Sequence, residues 1–162
     1  MVTRLKYLQT VRCLAIAFAL AGTLLGGLRA DWDFNQISRR AEGLYGPLGD
    51  GAQRIDAWQR LLATQKPLSE GKQLEVVNQF FNHQLRYRED LDLWREVDYW
   101  ATPVQSLLKG AGDCEDYAIA KYFSLRHLGV AADKLRITYV KALRQNRAHM
   151  VLTYYATPTA MP

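Results

Sequence analysis

"KGAGDCEDYAIAKY", Lys109–Tyr122, joins a glycine-rich turn to a helical run and sets a cysteine among acids. Asp113 precedes Cys114, and Glu115 and Asp116 follow it. Gly110 and Gly112 stop whatever comes before. The apolar spacing of Ala118, Ile119, Tyr122, Phe123 and Leu125 predicts a helix from Asp113 to about Leu128, closed by Gly129. A thiol at a helix start faces unsatisfied backbone N–H groups and the positive end of the macrodipole, which favour the thiolate. Three adjacent carboxylates oppose it. The acids admit two readings. They cap the helix, with Asp113 at the N-cap and Glu115 and Asp116 in the first turn. Alternatively they hold a divalent cation, calcium by their oxygen chemistry, which would cancel the repulsion.

Upstream the period is helical. Ile37, Ala41 and Leu44 share one spacing, and a Gly/Pro break at Gly46–Gly51 ends it. Ile55, Trp58, Leu61 and Leu62 mark a second helix. Ser69 and Glu70 open a third, with Leu74, Val77, Phe80 and Phe81. An aromatic, charged connector follows, and then Thr102 and Pro103 read as N-cap and first helical residue. Downstream the period becomes two. Leu135–Leu143 and Ala148–Ala156 read as strands, with "RQNR" between them as a hairpin turn. Helices first and strands after predict an α+β domain with segregated layers. Two strands make a poor sheet alone, so further strands are expected beyond the sequence.

The first thirty residues stand apart. They carry Arg4, Lys6, Arg12 and Arg29 and no acid. Their apolar run Cys13–Leu28 is 16 residues long, short of the roughly 20 needed to span a bilayer. The pattern is that of a secretory signal peptide over 1–30, with an uncleaved inner-membrane anchor as the alternative. Removing those four cations from the 21 Lys and Arg leaves 17 against 16 Asp and Glu. The domain over 31–162 is therefore near neutral, which argues against a nucleic-acid partner. Of the two cysteines, Cys13 would leave with the signal and Cys114 would stand alone. A lone cysteine in an oxidising compartment reads as a reactive thiol, as an intermolecular link or as a small buried hydrophobe.

A cysteine nucleophile needs a base. His149 lies on a predicted strand, sharing a face with Val151 and Thr153. His83 and His127 fall near helix ends and suit surface roles. A helix-borne cysteine against a strand-borne histidine is the layout shared by papain-like and transglutaminase-like enzymes. Among oxyanion donors, the Cys114 backbone N–H ranks above Gln105, which reads as mid-helix. Trp100 reads as a core residue, with shielding of the site as the alternative.

"YWATPVQSLLKGAGDCEDYAIAKYFSLRHLG", Tyr99–Gly129, followed by "AHMVLTYY", Ala148–Tyr155, resembles the bacterial transglutaminase-like cysteine proteinases of the LapG type. The resemblance covers Asp31 to the end. It implies a papain-like/transglutaminase-like fold with helices packed on an antiparallel sheet, and a Cys-His-Asp triad. Cys114 would be the nucleophile and His149 the base. It implies calcium dependence, with Asp113, Glu115 and Asp116 as ligands. It also implies a periplasmic endopeptidase that cleaves the N-terminal region of a large surface adhesin near paired alanines, controlling biofilm attachment. An inner-membrane cyclic di-GMP receptor would sequester it. The triad's Asp is expected shortly after the histidine, yet the last Asp here is Asp133. The third member is thus expected beyond Pro162, with the C-terminal strands. A transglutaminase-like acyltransferase or amidase, and an inactive calcium- or receptor-binding module, are the alternatives.

Overall fold

The structure, a computed structural model, describes residues 32–144, 146–157 and 159–160. The expected signal segment lies outside the described residues. Among those described, no helix is long and apolar enough to cross a membrane.

Three helices open the domain: α1 (Phe34–Tyr45), α2 (Asp50–Gln65) and α3 (Glu70–Gln84). Asp33 caps α1 by accepting the Gln36 N–H at 2.9 Å. Ser69 occupies the N-cap of α3, but its side chain makes no cap bond. The core is built on Ile55, Trp58, Leu62, Val77, Phe81, Leu107 and Val130, all essentially inaccessible. Each large side chain of this set contributes about 1.5–3 kcal/mol by burial. Trp58 is the hub. Its ring meets Phe34 and Phe81 edge-on, and its Nε1 donates to Ser124 Oγ at 2.8 Å. Leu44, expected on the buried stripe of α1, is instead 74% exposed. Only α2 backs α1 closely, and Phe34 with Ala41 fills that one contact.

The aromatic connector is not wholly irregular. It holds β1 (Arg86–Tyr87) and a one-turn helix, α4 (Asp90–Leu93). Helix α5 (Pro103–Lys109) then starts on a reciprocal capping box between Thr102 and Gln105. It ends at Gly110 in the left-handed region (φ 61°), over which the Arg54 guanidinium lies. The two residues of β2 (Ala111–Gly112) pair in parallel with β1, Arg86 opposite Ala111 and Tyr87 opposite Gly112.

Helix α6 (Cys114–Leu128) follows, ending at Gly129 (φ 111°). It packs against α3, α5 and the sheet. Because neighbours approach from several sides, its buried residues include the small Ala118, Ala120 and Ser124, while Phe123 of the expected stripe is exposed. A short 3-10 turn (Ala132–Lys134) leads into an antiparallel hairpin, β3 (Leu135–Ala142) and β4 (Arg147–Tyr154). The register runs from Leu135 opposite Tyr154 to Ala142 opposite Arg147. Arg147 of the expected turn therefore belongs to β4, and Asn146 just before it has positive φ (51°). Helices on one side and an antiparallel pair on the other make this an α+β fold, as the sequence predicted.

Candidate active site

Cys114 is the first residue of α6, and the chain is held on both sides to put it there. Arg86 N–H donates to Gly110 O and Arg88 N–H to Gly112 O, both at 3.0 Å. Gly112 must lack a side chain, since a Cβ would lie 2.7 Å from Asp116 Oδ2 and 2.8 Å from Asp116 Cβ. Asp116 is fully buried, and its Oδ1 accepts the Ala101 N–H at 2.8 Å. It thereby ties the connector to the first turn of α6.

Asp113 occupies the N-cap but makes no side-chain cap bond. Capping thus fails to explain its carboxylate. Its Oδ1 is instead buried without a hydrogen-bond partner, as are Oδ1 of Asp90 and Oδ2 of Asp116. Asp90 Oδ2 accepts the Tyr99 N–H at 2.6 Å. Oxygens of Asp90, Asp113 and Glu115 all lie within 4.8 Å of one another. Burial, and then Glu115, push the Asp113 carboxyl up to about 8. Burial also raises Asp90. Two orphaned carboxylate oxygens converging in a buried cluster lack positive charge, and hard oxygen donors of this kind fit calcium.

Of the three ligands expected, the structure brings Asp113 and Glu115 together and leaves Asp116 on the Ala101 N–H. Asp90 joins that pair in the cluster. Sequence reasoning missed Asp90 because it lies in the connector, at no spacing that relates it to Cys114. Only the β1–β2 pairing brings the two segments side by side.

Two cavities, of about 530 and 400 Å³, meet at Cys114, His149, Met150 and Tyr87. The larger is lined by the acid cluster and by Leu91, Val97 and Trp100, and the smaller by Tyr117, Lys121 and Leu152. Trp100 is 55% exposed, its Nε1 donating to Asp98 Oδ1 at 3.0 Å, so it lines the cleft and does not fill the core. Gln105 lies in the first turn of α5, not mid-helix. Its Oε1 accepts from Thr102, and its Nε2 donates to the Tyr99 hydroxyl at 2.6 Å. His83 is exposed on α3, 2.7 Å from Gln79 O; His127 falls in the last turn of α6.

Cys114 Sγ donates to Glu115 Oε2 at 3.1 Å. Burial, and then this contact, push the thiol up to about 11, while the Met150 backbone N–H pulls it down. Burial, with the Glu115 and Asp113 charges adding to it, therefore disfavours the thiolate.

A family profile described as bacterial transglutaminase-like cysteine proteinase BTLCP matches residues 54–158. The chain belongs to this family. Solved structures of Legionella pneumophila LapG are similar throughout. One is 42% identical with a TM-score of 0.69, covering 81% of this chain and 70% of that one. An EGTA-treated form is 42% identical (TM-score 0.68; 81% and 68% covered), and a calcium-bound form 43% identical (TM-score 0.69; 81% and 70% covered). No curated protein matches the chain.

As a transglutaminase-like cysteine protease, the chain has the parts for acyl transfer in one cleft. Cys114 and His149 line the same two cavities, a thiol and an imidazole of the kinds that nucleophile and base require. A divalent cation at the acid cluster would supply positive charge that favours the thiolate.

Proposed function

We propose that this chain is the core of a periplasmic, calcium-dependent cysteine endopeptidase with a Cys-His-Asp triad. Its substrate is the N-terminal region of a large surface adhesin, and its output is control of biofilm attachment. The reading rests above all on one observation: Cys114 starts a helix beside a cluster of orphaned carboxylate oxygens and shares its cleft with His149. The calcium-bound and EGTA-treated forms of the similar LapG chain support a calcium role for Asp90, Asp113 and Glu115. An Asp after His149 would orient the imidazole. Export, and sequestration by an inner-membrane cyclic di-GMP receptor, follow from the signal-like first thirty residues and the family likeness.

The test is cleavage of an adhesin N-terminal fragment by the exported protein. Cys114→Ala should abolish it with the unfolding midpoint unchanged, and EGTA should suppress it until calcium is restored. Cleavage that survives Cys114→Ala removes the nucleophile assignment, and indifference to EGTA removes the metal.

A further inference from the structure

We propose that Arg147 is a positioning residue for His149, clamping the first residue of β4 to Tyr87 and Glu89 and so fixing the imidazole's end of the strand beside Cys114. The proposal rests on the reading of Cys114 and His149 as nucleophile and base.

The guanidinium makes a fork. Nη1 donates to Glu89 Oε1 at 2.7 Å, and Nη2 donates to the Tyr87 hydroxyl at 2.6 Å. That hydroxyl donates in turn to the same Glu89 oxygen at 3.1 Å. The guanidinium carbon also lies 5.5 Å from the centre of the Tyr87 ring. Three partners are thereby closed into one unit. Tyr87 pairs with Gly112, two residues before the nucleophile, and Glu89 immediately precedes Asp90 of the acid cluster. The clamp therefore joins β4 to the segment that sets both Cys114 and the cluster.

Arg147 and His149 are two residues apart and share a face of β4, about 7 Å apart along the strand. Both line a cavity of about 260 Å³ with Tyr87 and Ala142. The other end of β4 has its own anchor, in which Tyr154 and Lys134 both bond Glu70. His149 is nearer the Arg147 end, so the clamp governs where its ring falls. The same strand sets the Met150 N–H on the Cys114 thiol.

Both side chains of the ion pair are about half exposed, 47% and 52%. Such a pair adds little to folding stability. Its effect should instead appear in site geometry, where small displacements are costly: Arg147→Ala or Glu89→Gln should lower the rate about ten- to hundredfold.

Two readouts on the full chain in calcium decide it. One is the rate of Cys114 alkylation by iodoacetamide at a single pH, followed by peptide mass, and the other is turnover of an adhesin N-terminal fragment. Arg147→Ala and Glu89→Gln should slow both, lowering kcat more than they raise KM, with the unfolding midpoint within a few degrees of wild type. Arg147→Lys should recover part of the loss. The charge swap Glu89→Arg with Arg147→Glu should recover more than either of its component single variants. Wild-type alkylation and kcat in Arg147→Ala, or a swap no better than its component singles, overturns the clamp. His149→Ala is a separate arm: unchanged alkylation there overturns the nucleophile–base reading itself. A slowed His149→Ala beside an unaffected Arg147→Ala overturns the clamp alone.

Discussion

Asp116 and Asp90 each give one oxygen to a backbone N–H and bury the other without a partner, but it is Asp90 that lies in the cluster with Asp113 and Glu115. Asp116 stands two residues from Cys114, yet its Oδ1 is committed to the Ala101 N–H and its body packs against Gly112. Asp90 is remote in sequence, yet one of its oxygens is orphaned within the cluster around Asp113. A buried carboxylate oxygen without a partner costs desolvation energy that only a proton or a cation can offset. Asp90→Asn should therefore weaken calcium binding by about tenfold or more. Asp116→Asn should cost less, because Asp116 lies outside the cluster of Asp90, Asp113 and Glu115 and an amide oxygen can still accept the Ala101 N–H. Calorimetric titration separates the two, and an equal loss in both would return Asp116 to the ligand set. At this scale the place of Cys114 at a helix start, of His149 on a strand and of Asp113 and Glu115 in one cluster was legible, each through a local signal such as a helix start, a strand period or a run of acids. Asp90 carried no such signal, because its role depends on a contact between distant segments.

Strand β4 is pinned at both ends, one to the connector segment and the other to α3. Arg147 holds one end, and at the other Glu70 receives Lys134 at 2.8 Å and the Tyr154 hydroxyl at 2.6 Å. The Lys134 hydrogen bond, then that of Tyr154, holds the Glu70 carboxyl below its ordinary value of 4.5. A depressed carboxylate contributes stability that is present above the unfolded value and lost as pH falls through the folded one. The group is partly exposed, so the contribution is small, about 1 kcal/mol or less. Glu70→Gln should therefore melt slightly below wild type at pH 7, and the gap should close once the pH drops below the folded value. A gap that persists in acid would mean that packing, and not charge, sustains this anchor. Elements with local stop and start codes were legible: Thr102–Pro103 opens α5, Gly110 and Gly129 close helices, and a period of two marks the hairpin. The β1–β2 bridge and α4 were not, since two residues of parallel pairing leave no period to read.

Across the whole molecule, the cost of crowding acids beside Cys114 becomes a pH signature. Asp113 keeps its proton in the fold up to about 8, against an ordinary 3.8. Its contribution to stability is thus complete below 3.8 and lost as pH rises through about 8. Calcium at the proposed site would bind the deprotonated cluster and take the place of that proton. In EGTA the unfolding midpoint should therefore lose this contribution between pH 4 and about 8, and the gain from added calcium should increase over the same range. A calcium gain independent of pH would detach Asp113 from the metal. By itself the sequence determined the α+β order, the helix that begins at Cys114, the strand that carries His149, and the family, because these depend on periodicity, caps and a contiguous motif. Only the tertiary structure decided that Asp90 joins the cluster, that Asp116 braces Gly112, and that Arg147 reaches Tyr87 and Glu89. Those are contacts between segments brought together by packing, and no local pattern encodes the distance between side chains that meet only in the fold.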